Sequence, residues 1–306
     1  MPILRLNAGP AGLTLHASPA AALPALRRAA IGTGPVIVMI HGFKYDPDCP
    51  RCSPHRTIFG NTHKTQWLPH LGFGIGDVTE GLAIAFGWRA RGDLWRAERS
   101  ARAAGWHLAR VIAEIRRLAP HRPVHVITHS MGSEVVFEAL HALVPGDVQR
   151  ILTLTGASYA SRAVAAMQTP AGRAAELFNI TSRENDVFDF IYERLIAPPL
   201  AGDRAMGNGL DLPNAVNIQL DCPRTLAALS RFGGHVAAPR RRICHWSSYT
   251  RPGALRFYGR AVRRPQVVSL EALQHALPTA VAPRWSRVLA RPGLSRPLPL
   301  PWKAAT

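Results

Sequence analysis

The stretch "ITHSMG" at residues 127–132 holds one serine, Ser130, between His129 and Met131. A run of β-branched residues precedes it and a helical pattern follows. A lone Ser at a sharp strand-to-helix junction has a purpose if the turn exists to hold up its hydroxyl. In open α/β sheets, ligands bind at the carboxyl ends of the strands. The helix N-terminus behind Ser130 offers free N–H groups and a dipole that favours a developing negative charge. The chemistry this points to is attack by a serine hydroxyl, which needs a base. The chain holds 13 histidines. Those after Ser130 are His141 and His275, in helical patterns, and His235 and His245, in loop-like stretches.

The elements that must position these residues are legible as alternating patterns. "PILRLNA" and "GLTLHAS" read as two short strands joined by a Gly-Pro-Ala-Gly turn. "GPVIVMIHG", "LAIAFGW" and "PVHVIT" are short apolar runs bounded by turn residues, as doubly buried parallel strands are. "VQRILTLTG", "ELFNITS" and "AVNIQLD" are further strands, with a helical "SRAVAAM" between the first two. Residues 93–118 form an amphipathic helix with Leu94, Ala101, Leu108, Ile112 and Ile115 near one face. "MGSEVVFEALHALV" and "ALRFYGRAV" are helices as well. The alternation predicts an α/β fold: a mostly parallel central sheet, helices on both faces, and an antiparallel hairpin at its N-terminal edge. One domain over 1–282 is expected. It carries a long loop insertion at about 44–80, a second at about 222–244, and a Pro/Arg-rich C-terminal tail over 283–306.

With the serine placed on such a frame, the chain resembles the α/β-hydrolase superfamily, in particular its bacterial serine esterases and lipases. The motif is the nucleophile elbow G-x-S-x-G. Here it reads "T-H-S-M-G": Gly132 matches, and Thr128 stands where the first Gly would be. The resemblance implies that His41 and Gly42, in "VIVMIHGFKYDP", end the strand that feeds an oxyanion hole made by the N–H groups of Phe43 and Met131. His129 and Gly132 support the elbow. The family order is serine, then acid, then histidine. It places the base in a loop after the last strand, which implies His245, in "RRICHWSSYTRPG", with His235 as the alternative. It places the acid after "LFNIT", where "SRENDVFDF" offers Glu184, Asp186 and Asp189. Asp186 is expected to hold the histidine, although Asn185 or Asp186 could instead cap the following helix.

The activity so implied is cleavage of a carboxylic ester through an acyl-enzyme on Ser130, with a small-molecule ester as substrate and no cofactor or metal. A thioesterase, amidase or acyltransferase would use the same residues, and a non-catalytic binding protein could keep the fold. The net charge of +18 invites a nucleic-acid reading. The arginines are dispersed, however, and the densest run is only Arg240–Arg242, so no specific nucleic-acid partner is expected. No apolar run is long enough to span a bilayer, and the N-terminus lacks the pattern of a secretory signal, so a cytoplasmic protein is expected. Cys49-x-x-Cys52, with His55 and His63 beyond, offers zinc-type ligands at spacings that fit no common site; a reversible disulfide or free thiols is the preferred reading. Phe59, Trp67, Leu68, Leu71 and Phe73 either line an acyl pocket or form the 44–80 segment's own small core.

Overall fold

A computed structural model describes residues 3–18, 21–60, 67–77 and 79–289. Its eight strands are β1 (Ile3–Gly9), β2 (Gly12–Leu15), β3 (Val36–Ile40), β4 (Leu82–Trp88), β5 (Val124–His129), β6 (Arg150–Leu154), β7 (Glu176–Thr181) and β8 (Ala215–Gln219). They form one sheet in the order β2-β1-β4-β3-β5-β6-β7-β8. Only β1 and β2 pair antiparallel, and every other neighbouring pair is parallel. The hairpin expected from "PILRLNA" and "GLTLHAS" is therefore the sheet's first edge.

The helices begin with α1 (Ala22–Ala30), the single turn α2 (Trp67–His70), α3 (Leu94–Leu118), α4 (Gly132–Leu140) and α5 (Ala160–Met167). They continue with α6 (Pro170–Arg173), α7 (Asp186–Leu195), α8 (Pro223–Arg231), α9 (Ser247–Thr250), α10 (Ala254–Arg263) and α11 (Leu270–Ala276). Side chains alternate across a strand, so each central strand feeds two cores. Val36, Val38 and Ile40 of β3 pack with Leu26, Leu108, Ile112 and Val135 from α1, α3 and α4. Ile37 and Met39 face the opposite core, with Leu229 of α8 and Phe257 of α10. Asp93 caps α3, accepting from the Arg96 N–H at 2.7 Å. The buried stripe of α3 runs Ala97, Ala101, Ala104, Leu108, Ile112, Ile115.

Two expectations need correction. Residues 222–244 are not a loop throughout, since they begin with α8, which has Pro223 in its first turn and buries Thr225, Ala228 and Leu229. Pro is suited to that position because its missing N–H would be unpaired there anyway. Phe59, Trp67, Leu68, Leu71 and Phe73 do not form a separate core, and none lines the cavity along the His245 segment. They are buried in the second core, against the β3 and β4 side chains Ile37, Met39, Ala83 and Ala85. Of the C-terminal tail, residues 290–306 lie outside the described residues, while Arg284, Trp285 and Arg287 are docked by hydrogen bonds. No helix among the described residues is long and apolar enough to cross a membrane.

Arg150 fastens the second face. Its buried guanidinium donates from Nε to Glu176 Oε2 at 2.6 Å, and to the carbonyls of Val268 at 2.8 Å and of Ala261. Replacing it by methionine would leave those buried carbonyls unpaired, at about 1–3 kcal/mol for each buried group so stranded. Arg150→Met is expected to lower the urea midpoint of unfolding without changing the slope of the transition. An unchanged midpoint would show that the clamp is dispensable.

Candidate active site

β5 ends at His129 and α4 begins at Gly132, so the chain reverses over two residues. Ser130 takes a left-handed backbone, with φ of 53°. That conformation costs a non-glycine residue roughly 1 kcal/mol or more. Three hydrogen bonds hold it: Ser130 N–H donates to Leu154 O at 3.1 Å, and Ser130 O accepts from Ser133 N and Ala157 N, each at 3.0 Å. Two glycines leave room for it. A Cβ on Gly42 would lie 2.6 Å from Ser130 Cβ, and a Cβ on Gly132 would collide with Thr128 Oγ1. Thr128 is therefore tolerated at the first motif position because Gly132 has no side chain.

The structure brings His245 to Ser130. His245 Nε2 is 2.9 Å from Ser130 Oγ. On the ring's other side, Nδ1 is 2.6 Å from Asn185 Oδ1. The Asn185 amide nitrogen donates to Asp189 Oδ1 at 2.9 Å, which turns the amide oxygen toward the imidazole. An amide oxygen only accepts, so Nδ1 carries the proton and Nε2 presents its lone pair to the serine hydroxyl. The loop that carries His245 is pinned along its backbone. His245 O accepts from Thr155 Oγ1 at 3.1 Å, and Cys244 N donates to Glu184 O at 2.8 Å. The ring stacks on Phe188, with centroids 4.7 Å apart. Burial, followed by His129 and the Lys44 ammonium, holds the His245 pKa well below the usual histidine value.

Asp186, the acid expected beside His245, is not there. Residues 183–185 make one tight helical turn leading into α7. This turn aims Asn185 at the histidine and carries Asp186 away. The Asp186 carboxylate instead lies 3.1 Å from the Arg183 guanidinium and accepts from Trp285 N at 2.7 Å. Glu184 is paired with Arg251. Asp189 lies one turn beyond Asn185, and burial pushes its pKa up to about 7. His235 is exposed and makes none of these contacts. The residue that reading the sequence missed is therefore Asn185. Its spacing of four from Asp189 would put both on one helical face, and that was the available signal.

His41 buttresses the neighbouring strand end. Its Nδ1 bonds Gly42 O at 2.8 Å, its Nε2 accepts from Trp88 N at 3.0 Å, and its ring stacks on the Trp88 indole. Burial lowers its pKa to about 3, so it stays neutral. His129, likewise lowered by burial to about 4, packs edge-on against Tyr249. The N–H groups of Phe43 and Met131 donate to no other group among the described residues. Cys49 and Cys52 are joined in a disulfide, and His55 Nε2 bonds Asn7 Oδ1 at 2.8 Å. His63 lies outside the described residues.

A mostly parallel sheet of this order, with a serine on a left-handed strand-to-helix turn, is the architecture of the α/β-hydrolase fold. Residues 26–156 match the model of a family described as an alpha/beta hydrolase of unknown function (DUF900). The matched span runs from α1 through β6, so it holds Gly42 and Ser130 but neither Asn185 nor His245. No curated protein matches the chain.

The buried histidines dictate a pH response. Burial depresses the pKa of His41 to about 3, His55 to about 2, His125 to about 3 and His129 to about 4, and that of His245 well below its usual value. A histidine whose folded pKa lies below its unfolded one binds its proton first in the unfolded chain. Its contribution is thus complete above about pH 6.5 and is lost as pH falls from there toward the folded values, by up to about 1.4 kcal/mol per pH unit for each. The buried carboxyls Glu134, Asp186 and Asp189 are shifted upward and act in the opposite sense, but they are three against five. Stability is expected to be lower at pH 5 than at pH 7.5, as read by urea unfolding at the two values. Equal or greater stability at pH 5 would show that the histidines are not held neutral.

Proposed function

We propose that the chain is a serine hydrolase that cleaves carboxylic esters through an acyl-enzyme on Ser130. The observation that carries this reading is the 2.9 Å contact between Ser130 Oγ and His245 Nε2 on a turn that holds the serine in a left-handed conformation. His245 Nε2 takes the hydroxyl proton as Oγ attacks the ester carbonyl. The oxygen of the tetrahedral adduct becomes negative and takes hydrogen bonds from the Phe43 and Met131 amides, each such donor lowering the barrier by about 3 kcal/mol. Collapse breaks the bond to the leaving alcohol, which receives the proton from Nε2. Water then gives its proton to Nε2 and attacks the acyl-enzyme, and the proton returns to Oγ as the acid leaves.

Asn185 stands where most such enzymes carry a carboxylate. It keeps Nδ1 protonated and orients the ring, but it offers the imidazolium a dipole rather than a charge. In a Ser-His-Asp protease, replacing the acid by an amide costs about 10⁴ in kcat because the wrong tautomer results. Asp189 blocks that outcome here by fixing the amide nitrogen away from the ring.

A fluorophosphonate probe is expected to label the protein at Ser130 alone. Ser130→Ala should lose both labelling and ester turnover, and His245→Ala should reduce turnover by about 10³-fold or more. Full esterase activity in Ser130→Ala would end the hydrolase reading. Asn185→Asp would set an anion beside Nδ1, favour the charged imidazolium and raise the His245 pKa. The acid limb of its kcat/KM profile should therefore move to higher pH than in the parent. An unmoved limb would mean that Asn185 does not govern the base.

A further inference from the structure

A cavity of about 570 Å³ lies along the segment that carries His245, although neither His245 nor Ser130 is itself in its lining. Cys244 and Trp246, the neighbours of His245 on either side, line it, as does Tyr249, whose ring packs against His129. Ile58 and Tyr45 contribute from the loop after β3. This apolar wall suits a short carbon chain. The charged lining does not match a neutral one. Glu184 and Arg251 are both in the lining, but they are paired with each other, and Arg251 also donates to Leu220 O at 2.6 Å. Arg240 and Arg241 line the cavity as well, and neither meets a carboxylate among the described residues. Two positive charges therefore remain uncompensated in its lining.

These two guanidinium groups are carried by a segment that is tied down at several points. Ala237 N donates to Pro252 O at 3.0 Å, and Cys244 N to Glu184 O at 2.8 Å. Between them, Arg287 donates to Arg241 O at 2.7 Å and to Pro239 O at 3.3 Å. The backbone under the arginines is thus fixed relative to the base, since Cys244 directly precedes His245. A guanidinium presents a planar fork of donors that matches a carboxylate. All three arginines of the run are exposed, but Arg242, the next residue and equally charged, is not part of the lining.

We infer that Arg240 and Arg241 form an anion subsite, and that the preferred substrates are esters bearing a second, negatively charged group, such as the half-esters of short dicarboxylic acids. This rests on the hydrolase reading for the reaction and on the cavity for the preference. The test compares mono-para-nitrophenyl glutarate with para-nitrophenyl pentanoate, which match in chain length and differ in the terminal carboxylate. The wild-type protein should favour the glutarate in kcat/KM, chiefly through KM, with the preference falling as salt rises. An Arg240→Gln, Arg241→Gln double variant should lose about tenfold of that preference, as expected for a charge-assisted pair. Arg242→Gln, which removes an equal charge from the same segment, should retain it.

No preference in the wild-type protein, or an equal loss in Arg242→Gln, would overturn the subsite, the latter by tracing the effect to the general positive field. Those outcomes leave ester cleavage by Ser130 standing. If neither ester is turned over, the hydrolase reading fails and the subsite is judged by binding alone. Calorimetric titration of monomethyl glutarate into the Ser130→Ala variant should then show binding that the added Arg240→Gln and Arg241→Gln changes abolish. Absence of binding overturns it.

Discussion

The backbone of Ser130 cannot take its left-handed conformation unless two other chain segments leave space. β3 and β5 are parallel neighbours, with Ile40 paired to Thr128, so the ends of the two strands meet side by side. The next residues of each chain, His41-Gly42 and His129-Ser130, therefore converge. Gly42 lets the serine Cβ approach, and Gly132 lets the first turn of α4 close over Thr128. The stacking of His41 on Trp88 and its bond to the Trp88 N–H fix the β3 end against β4. A side chain at Gly42 would break this convergence even though no chemistry passes through it. The strain at Ser130 is supported by the packing of three adjacent strand ends rather than by the turn alone.

The imidazole arrives from 115 residues further along the chain, with no regular element to carry it. Its position is set instead by fixed carbonyls and rings. Thr155, at the end of β6, donates to His245 O and is itself 3.0 Å from Ser248 Oγ. Phe188 supplies a flat surface from α7. The partner of Nδ1 is neutral, while the charges lie one layer back, where the buried Arg183 sits among Asp186, Asp189 and the Gly207 carbonyl. A carboxylate at position 185 would have to be buried against the ring and would compete for the same cation. An amide needs no counter-ion and still dictates the tautomer, because its nitrogen has a carboxylate to bond. The arrangement trades electrostatic support of the imidazolium for a defined geometry.

Much of this was legible in the residues. The run Val36–Ile40 is short, β-branched and bounded by Gly and Pro, and it became the fully buried β3. The junction at Ser130 was visible because a strand period changes to a helical one within three residues. The choice between Asn185 and Asp186 was not visible. Both follow β7 and both suit a helix start, and a rotation of about 100° per residue along a helix decides which one faces the histidine. Sequence order cannot supply that angle. The 44–80 segment was opaque for another reason: its large apolar residues lack strand or helix periodicity because they pack from turns onto the sheet. α8 was hidden by the Cys before it and the Pro that starts it, which read as loop.

The strong positive charge has a partly internal cause. Lysine occurs only at positions 44, 64 and 303, so almost every cation is an arginine. Several of these arginines act inside the fold as clamps on backbone carbonyls. Arg122 donates to Ala30 O at 2.7 Å and Gly34 O at 2.9 Å, holding the entry to β3. Arg263 donates to Leu71 O at 2.6 Å and Glu80 O at 2.8 Å, while its guanidinium lies over the Phe73 ring. Arg150 and Arg251 bind carbonyls of the segments that follow the sheet. A carbonyl has no charge, so Arg122 and Arg263, which make no salt bridge among the described residues, add to the net positive balance, whereas Arg150 and Arg251 also pair with Glu176 and Glu184. The guanidinium suits this role because its donors are several, planar and fixed in direction, whereas an ammonium on a flexible stem is more strongly hydrated. Irregular segments such as 71–77, 79–81 and 264–268 bury carbonyls that no sheet or helix pairs. Fastening them with arginine lets long connections lie flat on a parallel sheet, and leaves the chain basic as a consequence.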